Sequence, residues 1–432
     1  MTTDGERTDT SGGTAAAEKA SDHSYTPAER RRILVGGSLG WGLEFYDLQL
    51  LALVAVPLTS ELGISLSTLS VVFTGQLVAT AVGGVLFGWL GDLFGRRRVL
   101  AWTIVLFAVS TGLVYFVNST GQLFALRVLT GLGAGGEWAL GFSLLNEAWK
   151  PRRRGLFGAI LQANIWIAYA AAIGVAGAVG DNWRLAFAIG AIPAVAALYV
   201  RIRCPESKQW LEYRRLKRTA RLDGPERERT PLRQLFARDM RRTTIFGTLA
   251  VFGAQYAVYV HITYIPTFLS QNLGYTSGEV TTILLISAAL FYVTFIAAGW
   301  LSDRWSRRTV LAGIAVVQLV AFLAFAAFTA GDLPRLAIVG SYYLISVGSA
   351  YFAIFGAWFG ELYPTRVRAS GLAWCYSVGR GVAGGAPLVV GLMAGTYGLA
   401  SGFTTGAAAV VVLLVATAFL GDRSGRRIQA HD

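Results

Sequence analysis

The chain has 432 residues, of which 54% are hydrophobic and 15% charged, with 51 glycines and a formal net charge of +13. Ordinary soluble domains carry about 25% charged residues, so the composition excludes a soluble globular domain. The positive charge suggests a nucleic-acid partner until its distribution along the chain is read.

Twelve apolar runs recur, at 33–58, 67–91, 99–117, 121–146, 156–179, 183–203, 244–270, 276–301, 309–330, 334–360, 368–396 and 399–420. Each is near the roughly 20 residues that cross a bilayer as a helix. None alternates as barrel strands do. The predicted fold is an all-α membrane protein of twelve transmembrane helices. The basic residues fall in alternate loops, and of the 38 only Arg127, Arg184, Arg335 and Arg380 lie elsewhere. That asymmetry places the basic loops and both termini in the cytoplasm of a multi-pass cell-membrane protein. The charge is a topology signal, which removes nucleic acid as a partner. Cys204 and Cys375 fall on or within the cytoplasmic half and form no structural disulfide there.

Residues 1–32 read as a disordered cytoplasmic tail. The first span then carries Glu44 and Asp47 in "LGWGLEFYDLQLLALVAVPL". A carboxylate at bilayer depth costs roughly 3 kcal/mol or more and marks function by default. Three apart, the two share one helix face, and both are expected to face a central cavity. The second span exits through "GWLGDLFGRRRVLA", with Asp92, Arg96 and Arg97. The fourth, "RVLTGLGAGGEWALG", holds Arg127, Glu137 and Trp138. Its Gly131, Gly133 and Gly136 match a dinucleotide fingerprint, but that fingerprint needs a preceding strand. Inside an apolar span the glycines read as a face for close helix packing. Ten residues separate Arg127 from Glu137, about 15 Å along a helix, so they do not pair. "NEAWKPRRRG" follows, with Glu147 seven residues before Arg154. Gln162, Asn164 and Trp166 on the fifth span, and Gln255, Tyr256, Tyr259, His261 and Tyr264 on the seventh, are polar and aromatic wall candidates.

The second half repeats the first. "GWLSDRWSRRTVLA" sets Asp303 against Asp92 and Arg308 against Arg97, both offset by 211. "GELYPTRVRASG" sets Glu361 and Arg368 against Glu147 and Arg154. Two motifs repeated at a nearly constant offset mean a duplicated six-helix unit. The expected domains are a bundle at 33–203, a cytoplasmic central loop at 204–243, a second bundle at 244–420 and a cytoplasmic tail at 421–432. Repeated halves around a midplane site are a transporter architecture. In the eleventh span, "WCYSVGRGVAGGAPL", Arg380 sits between two glycines that leave room for a ligand or a close helix. Its planar fork suits a carboxylate and cannot lose its charge.

These motifs resemble the major facilitator superfamily. "GWLGDLFGRRRVL" is similar to its signature between helices two and three, and "RVLTGLGAGGEWALG" to its helix-four motif. "CPESKQWLE" is similar to a sugar-porter signature, with Lys208 and Gln209 in place of Pro-Arg. "LEFYDLQLLA", "GGEWALG", "YIPTFLSQNLG" and "ELYPTRVRASG" most resemble bacterial organic-acid:proton symporters of the metabolite, sialate and lactate type. The resemblance implies two pseudo-symmetric six-helix bundles, proton-coupled uptake of a small organic anion by alternating access, no enzyme activity, and no cofactor or metal beyond the proton gradient. A monomer in the lipid bilayer is expected. It implies a cytoplasmic gate of Asp92, Arg96, Arg97, Glu147, Arg154, Asp303, Arg308, Glu361 and Arg368, and a coupling role for Arg127. Substrate contacts are expected from Arg380, Gln162, Asn164, Gln255, Tyr256, Tyr259 and Trp138. The proton-coupling candidates are Asp47, Glu44, Glu137, Arg127 and His261, with Asp47 as the titrating acid. A sugar or neutral-metabolite porter and a proton-driven drug efflux antiporter are the rival functions.

Overall fold

A computed structural model describes residues 25–218, 231–331, 333–386, 389–390, 393 and 399–422. Most of the predicted amino-terminal tail, part of the central loop, the far end of span eleven and nearly all of the carboxy-terminal tail lie outside them, as does the side chain of Tyr264.

Span one is Pro27–Leu53, continued after a turn at Val54 by Ala55–Leu62. Spans two to six are Leu66–Phe94, Arg96–Leu113, Thr120–Ala148, Arg154–Val179 and Trp183–Ile202. Spans seven to nine are Arg241–Thr267, Ser277–Arg304 and Arg307–Ala330. Span ten is broken into Arg335–Val347 and Phe352–Leu362; span eleven is Arg368–Ala383 and span twelve Leu399–Phe419. Nine of these are long and apolar enough to cross a membrane by composition among the described residues. Spans one, six and eleven complete the twelve. The backbone has little choice, because in hydrocarbon each N–H and C=O must be satisfied within its own segment. Side chains finish the helix ends: Ser65, Ser119 and Ser306 accept from Thr68, Gln122 and Thr309 N–H, and Thr276 forms a capping box with Glu279. Val71, Ile192 and Val293 are exposed, as lipid-facing side chains of a membrane-spanning bundle are expected to be.

Helix pairing repeats between halves. Span one packs on five and six as seven packs on eleven and twelve; two packs on four as eight does on ten. The halves meet along two equivalent seams, two against eleven and five against eight, with four and ten crossing between them. The glycine run of span four makes this close. A Cβ on Gly133 would meet the Phe107 nitrogen at 2.8 Å, and one on Gly135 the Gly84 nitrogen at 2.5 Å. Gly133 packs against span three and Gly135 against span two, so the run is a helix-packing face.

Two expectations are corrected here. The tail does not extend to residue 32: Tyr25 is buried and the first helix starts at Pro27. The central segment is not only a linker. Glu206 accepts from the Arg96 and Arg97 N–H groups at 2.9 and 3.2 Å, and helix Lys208–Arg218 follows it. The Trp210 indole in that helix donates to the Asp92 carbonyl at 2.8 Å. Gly95 permits this approach, with φ +103° and the Glu206 carboxylate where a Cβ would stand.

Candidate functional site: a central cavity above a charged latch

The basic end of the molecule is shut by a network built twice. Asp92 receives the Ala369 and Ser370 N–H groups at 3.4 and 2.8 Å, at the amino terminus of span eleven. Asp303 receives Gly155 and Leu156 N–H at 2.8 and 2.7 Å, at the amino terminus of span five. A helix start presents free donors and the positive end of the dipole, so each aspartate neutralises a helix of the opposite half. Arg96 pairs with Asp92 at 3.0 Å and lies 3.6 Å from Glu147. Its counterpart Arg307 pairs with Asp303 at 2.7 Å and Glu361 at 3.2 Å. The remaining pairs cross between halves: Arg368 to Glu147 at 2.6 Å and Arg154 to Glu361 at 3.5 Å.

The expected gate residues therefore assemble, with two corrections. Glu147 and Arg154 are not partners; each pairs with the other repeat. Arg97 and Arg308 are not in the network: their exposed guanidinium groups reach the carbonyls of Ile202 and Ala418. The turn between helices explains this: Arg96 and Arg307 are the first residues of spans three and nine, and the break before them turns their side chains back onto the aspartates that end spans two and eight. Arg307 was missed, though the 211-residue offset aligns it with Arg96.

Above the latch lies a cavity of about 730 Å³ between the halves, reaching Leu51, Ala55 and Leu69 towards the opposite end. Its walls are apolar and rich in aromatic side chains. Trp166 stacks on Phe291 at 4.4 Å, and Tyr376 stacks on Trp138 at 3.8 Å with Trp41 edge-on at 6.0 Å. Trp41 and Tyr376 carried no sequence signal, because an aromatic in an apolar span looks like packing. The indole N–H groups of Trp41 and Trp166 are buried and unpartnered. Gln162, Gln255, Tyr259 and Arg380 line the cavity as expected. Trp138 lines a smaller adjoining chamber of about 130 Å³, together with Glu44 and Arg380. Asn164 and Tyr256 line neither.

Span one divides its two acids. Glu44 faces the chamber and pairs with Arg380 at 2.9 Å, while the Arg380 Nε donates to the Tyr259 hydroxyl at 3.3 Å. The other oxygen of Glu44 is buried without a hydrogen-bond partner. Asp47 does not face the cavity, contrary to expectation. It is fully buried against span four, taking two bonds from Arg127 at 2.9 and 3.2 Å, one from Gln76 and one from Thr111 at 3.1 Å each. Gln76 and Thr111 were not anticipated; neutral polar residues in apolar spans carry no signal of a partner. Arg127 also lies 4.9 Å over the Phe187 ring. Glu137 is turned to span three, accepting from Thr103 at 2.6 Å. His261 sits behind the wall among Phe291, Phe322 and Tyr342, its Nδ1 at 3.0 Å from the Ala257 carbonyl.

Two repeated halves, latched at one end over a central cavity holding a charged pair, define a membrane transporter. The chain belongs to the Major Facilitator Superfamily, whose model matches residues 37–387 and 247–430. It is 30% identical over 373 residues to the "Probable 4-methylmuconolactone transporter" of Cupriavidus pinatubonensis (strain JMP 134 / LMG 1197), covering 85% of this chain and 84% of that one. It is 26% identical over 417 residues to the "Cis,cis-muconate transport protein" of Acinetobacter baylyi (strain ATCC 33305 / BD413 / ADP1), covering 92% and 98%. Its fold is similar to that of the proton:xylose symporter XylE bound to 6-bromo-6-deoxy-D-glucose, with TM-score 0.79, 17% identity, and coverage of 94% and 99%.

Proposed function

We propose that this transporter carries a small organic anion into the cytoplasm together with protons, by alternating access. The basic end is the cytoplasmic face of the cell membrane, and the described state is shut on that side. The observation that carries the proposal is Arg380, the one charged residue among the described residues that line the main cavity. A buried guanidinium favours an anion and disfavours a cationic drug. Trp41 and Trp166 offer two further donors from aromatic walls, a setting for a flat, unsaturated carboxylate. The relatives named for muconate and methylmuconolactone support that class. The proton is carried at Glu44 of span one, which faces the substrate chamber, while Asp47 holds Arg127 of span four. The protein acts as a monomer without cofactor.

The test is uptake of radiolabelled benzoate, nicotinate and cis,cis-muconate into proteoliposomes, with and without an inward-directed proton gradient. Accumulation above equilibrium only with the gradient supports proton-coupled import. Downhill uptake that ignores the gradient removes the coupling. Uptake of sugars in place of all three acids removes the organic anion.

A further inference from the structure

The pair Glu44–Arg380 is a carboxylate already bound where a substrate carboxylate is proposed to bind. One guanidinium nitrogen meets Glu44 Oε1 at 2.9 Å, and Nε is engaged by Tyr259. Glu44 Oε2 has no hydrogen-bond partner, although the residue is only 5% exposed. The chamber they share is small, about 130 Å³. Among the described residues, the other ionisable groups around Glu44 are Tyr259 from span seven, Tyr376 from span eleven, Glu137 from span four and Asp47 on its own helix. None of these is a second cation, and Arg127 is committed to Asp47 on the far side of span one.

We infer that substrate and proton are coupled by exchange at Arg380: the incoming carboxylate takes the guanidinium from Glu44, and Glu44 takes up one proton. This rests on the organic-anion function proposed above. A single guanidinium in a poorly solvated chamber compensates one carboxylate. Two ionised carboxylates beside it, with Glu137 and Asp47 near, would leave a buried negative charge without a partner. Protonation at an oxygen of Glu44 resolves this. An O–H bond forms on Glu44, the proton comes from solvent in the cavity, and no other bond changes. The charge of the chamber is then the same before and after loading, with one monoanion and one proton bound. Asp47 has no part in the exchange, because Arg127, Gln76 and Thr111 already satisfy it. The same accounting sets specificity. A flat monocarboxylate leaves no charge over, whereas a dianion needs a second proton or binds more weakly.

The experiment is calorimetric titration of the purified full-length protein with benzoate and with cis,cis-muconate, in buffers of different ionisation enthalpy and across a pH series. Wild type is expected to take up one proton per benzoate bound. Because the bound state holds one proton more, affinity should fall tenfold per pH unit once free Glu44 is ionised. Glu44→Gln is expected to bind benzoate with no proton uptake and with a flat pH profile. Cis,cis-muconate should take up a second proton or bind at least tenfold more weakly than benzoate. Benzoate binding to wild type without proton uptake overturns the inference and leaves organic-anion transport standing. So does proton uptake that persists in Glu44→Gln. If that variant does not fold, the wild-type proton count and pH series decide alone. Failure of wild type to bind either acid, while it binds a neutral sugar, overturns organic-anion transport and the exchange together.

Discussion

Arg368 and Glu147 meet at 2.6 Å across the two halves of the chain, and both are buried. Their repeat counterparts Arg154 and Glu361 meet at 3.5 Å in the opposite sense. The latch therefore ties each half to the other, and it breaks when the halves separate at the basic end. A buried pair that loses one partner is strongly destabilised. Glu147→Arg is expected to abolish transport, and the reciprocal double variant Glu147→Arg with Arg368→Glu to restore part of it. Rescue by Arg154→Glu instead would show that Glu147 works with the arginine of its own repeat. Vesicle uptake at matched expression measures both.

The two arginines of each basic loop should differ sharply. Arg96→Gln and Arg307→Gln remove a buried partner of Asp92 or Asp303, and are expected to cost more than tenfold in transport rate. Arg97→Gln and Arg308→Gln touch only exposed carbonyl contacts, worth about 0–1 kcal/mol, and should stay within about twofold of wild type. Equal effects from both members of a pair would contradict the assigned geometry.

Asp92→Asn keeps the shape at the start of span eleven but removes the charge facing its N–H groups. Charge at a helix amino terminus contributes about 0.3–2 kcal/mol, enough to shift the balance between inward-shut and inward-open states. Transport is expected to fall while membrane insertion is retained. Cysteines introduced at the seam of spans two and eleven should react faster with a membrane-impermeant thiol reagent from the basic side. Unchanged labelling with normal uptake would reduce Asp92 to a loop charge.

Asp47→Asn leaves Arg127 buried without its counter-ion. The loss is expected to be about 3–5 kcal/mol of stability, with both uphill uptake and counterflow exchange lost. Asp47→Asn that keeps counterflow but loses gradient-driven accumulation would instead make Asp47 the proton carrier. A thermal-shift series read beside the two transport assays distinguishes these outcomes.

Arg380→Lys keeps the charge beside Glu44 and removes the planar fork. Each charge-assisted hydrogen bond lost to the substrate costs about 1.5–3 kcal/mol, so benzoate affinity should fall about ten- to a hundredfold with little change in stability. Arg380→Ala should lose binding and stability together, since Glu44 is then buried alone. Normal affinity in Arg380→Lys would sink the bidentate contact.

The sequence by itself determined the membrane class, the twelve apolar runs, the duplicated half and most residues of the basic latch, though it included Arg97 and Arg308 and missed Arg307. Each is carried by a local or periodic signal. Apolar run length answers to bilayer thickness, and repeated motifs betray duplication whatever they touch. The sequence also marked Glu44, Asp47, Arg127 and Arg380 as costly buried charges. Only the tertiary structure decided how those charges pair. Glu44 and Asp47 share a helix face by spacing, yet one meets Arg380 of span eleven and the other Arg127 of span four. A helical face spans enough arc for neighbours three apart to meet different helices, and which helix stands there depends on how the two bundles dock. The same holds for Glu147, whose partner lies 221 residues away because the halves cross at the latch.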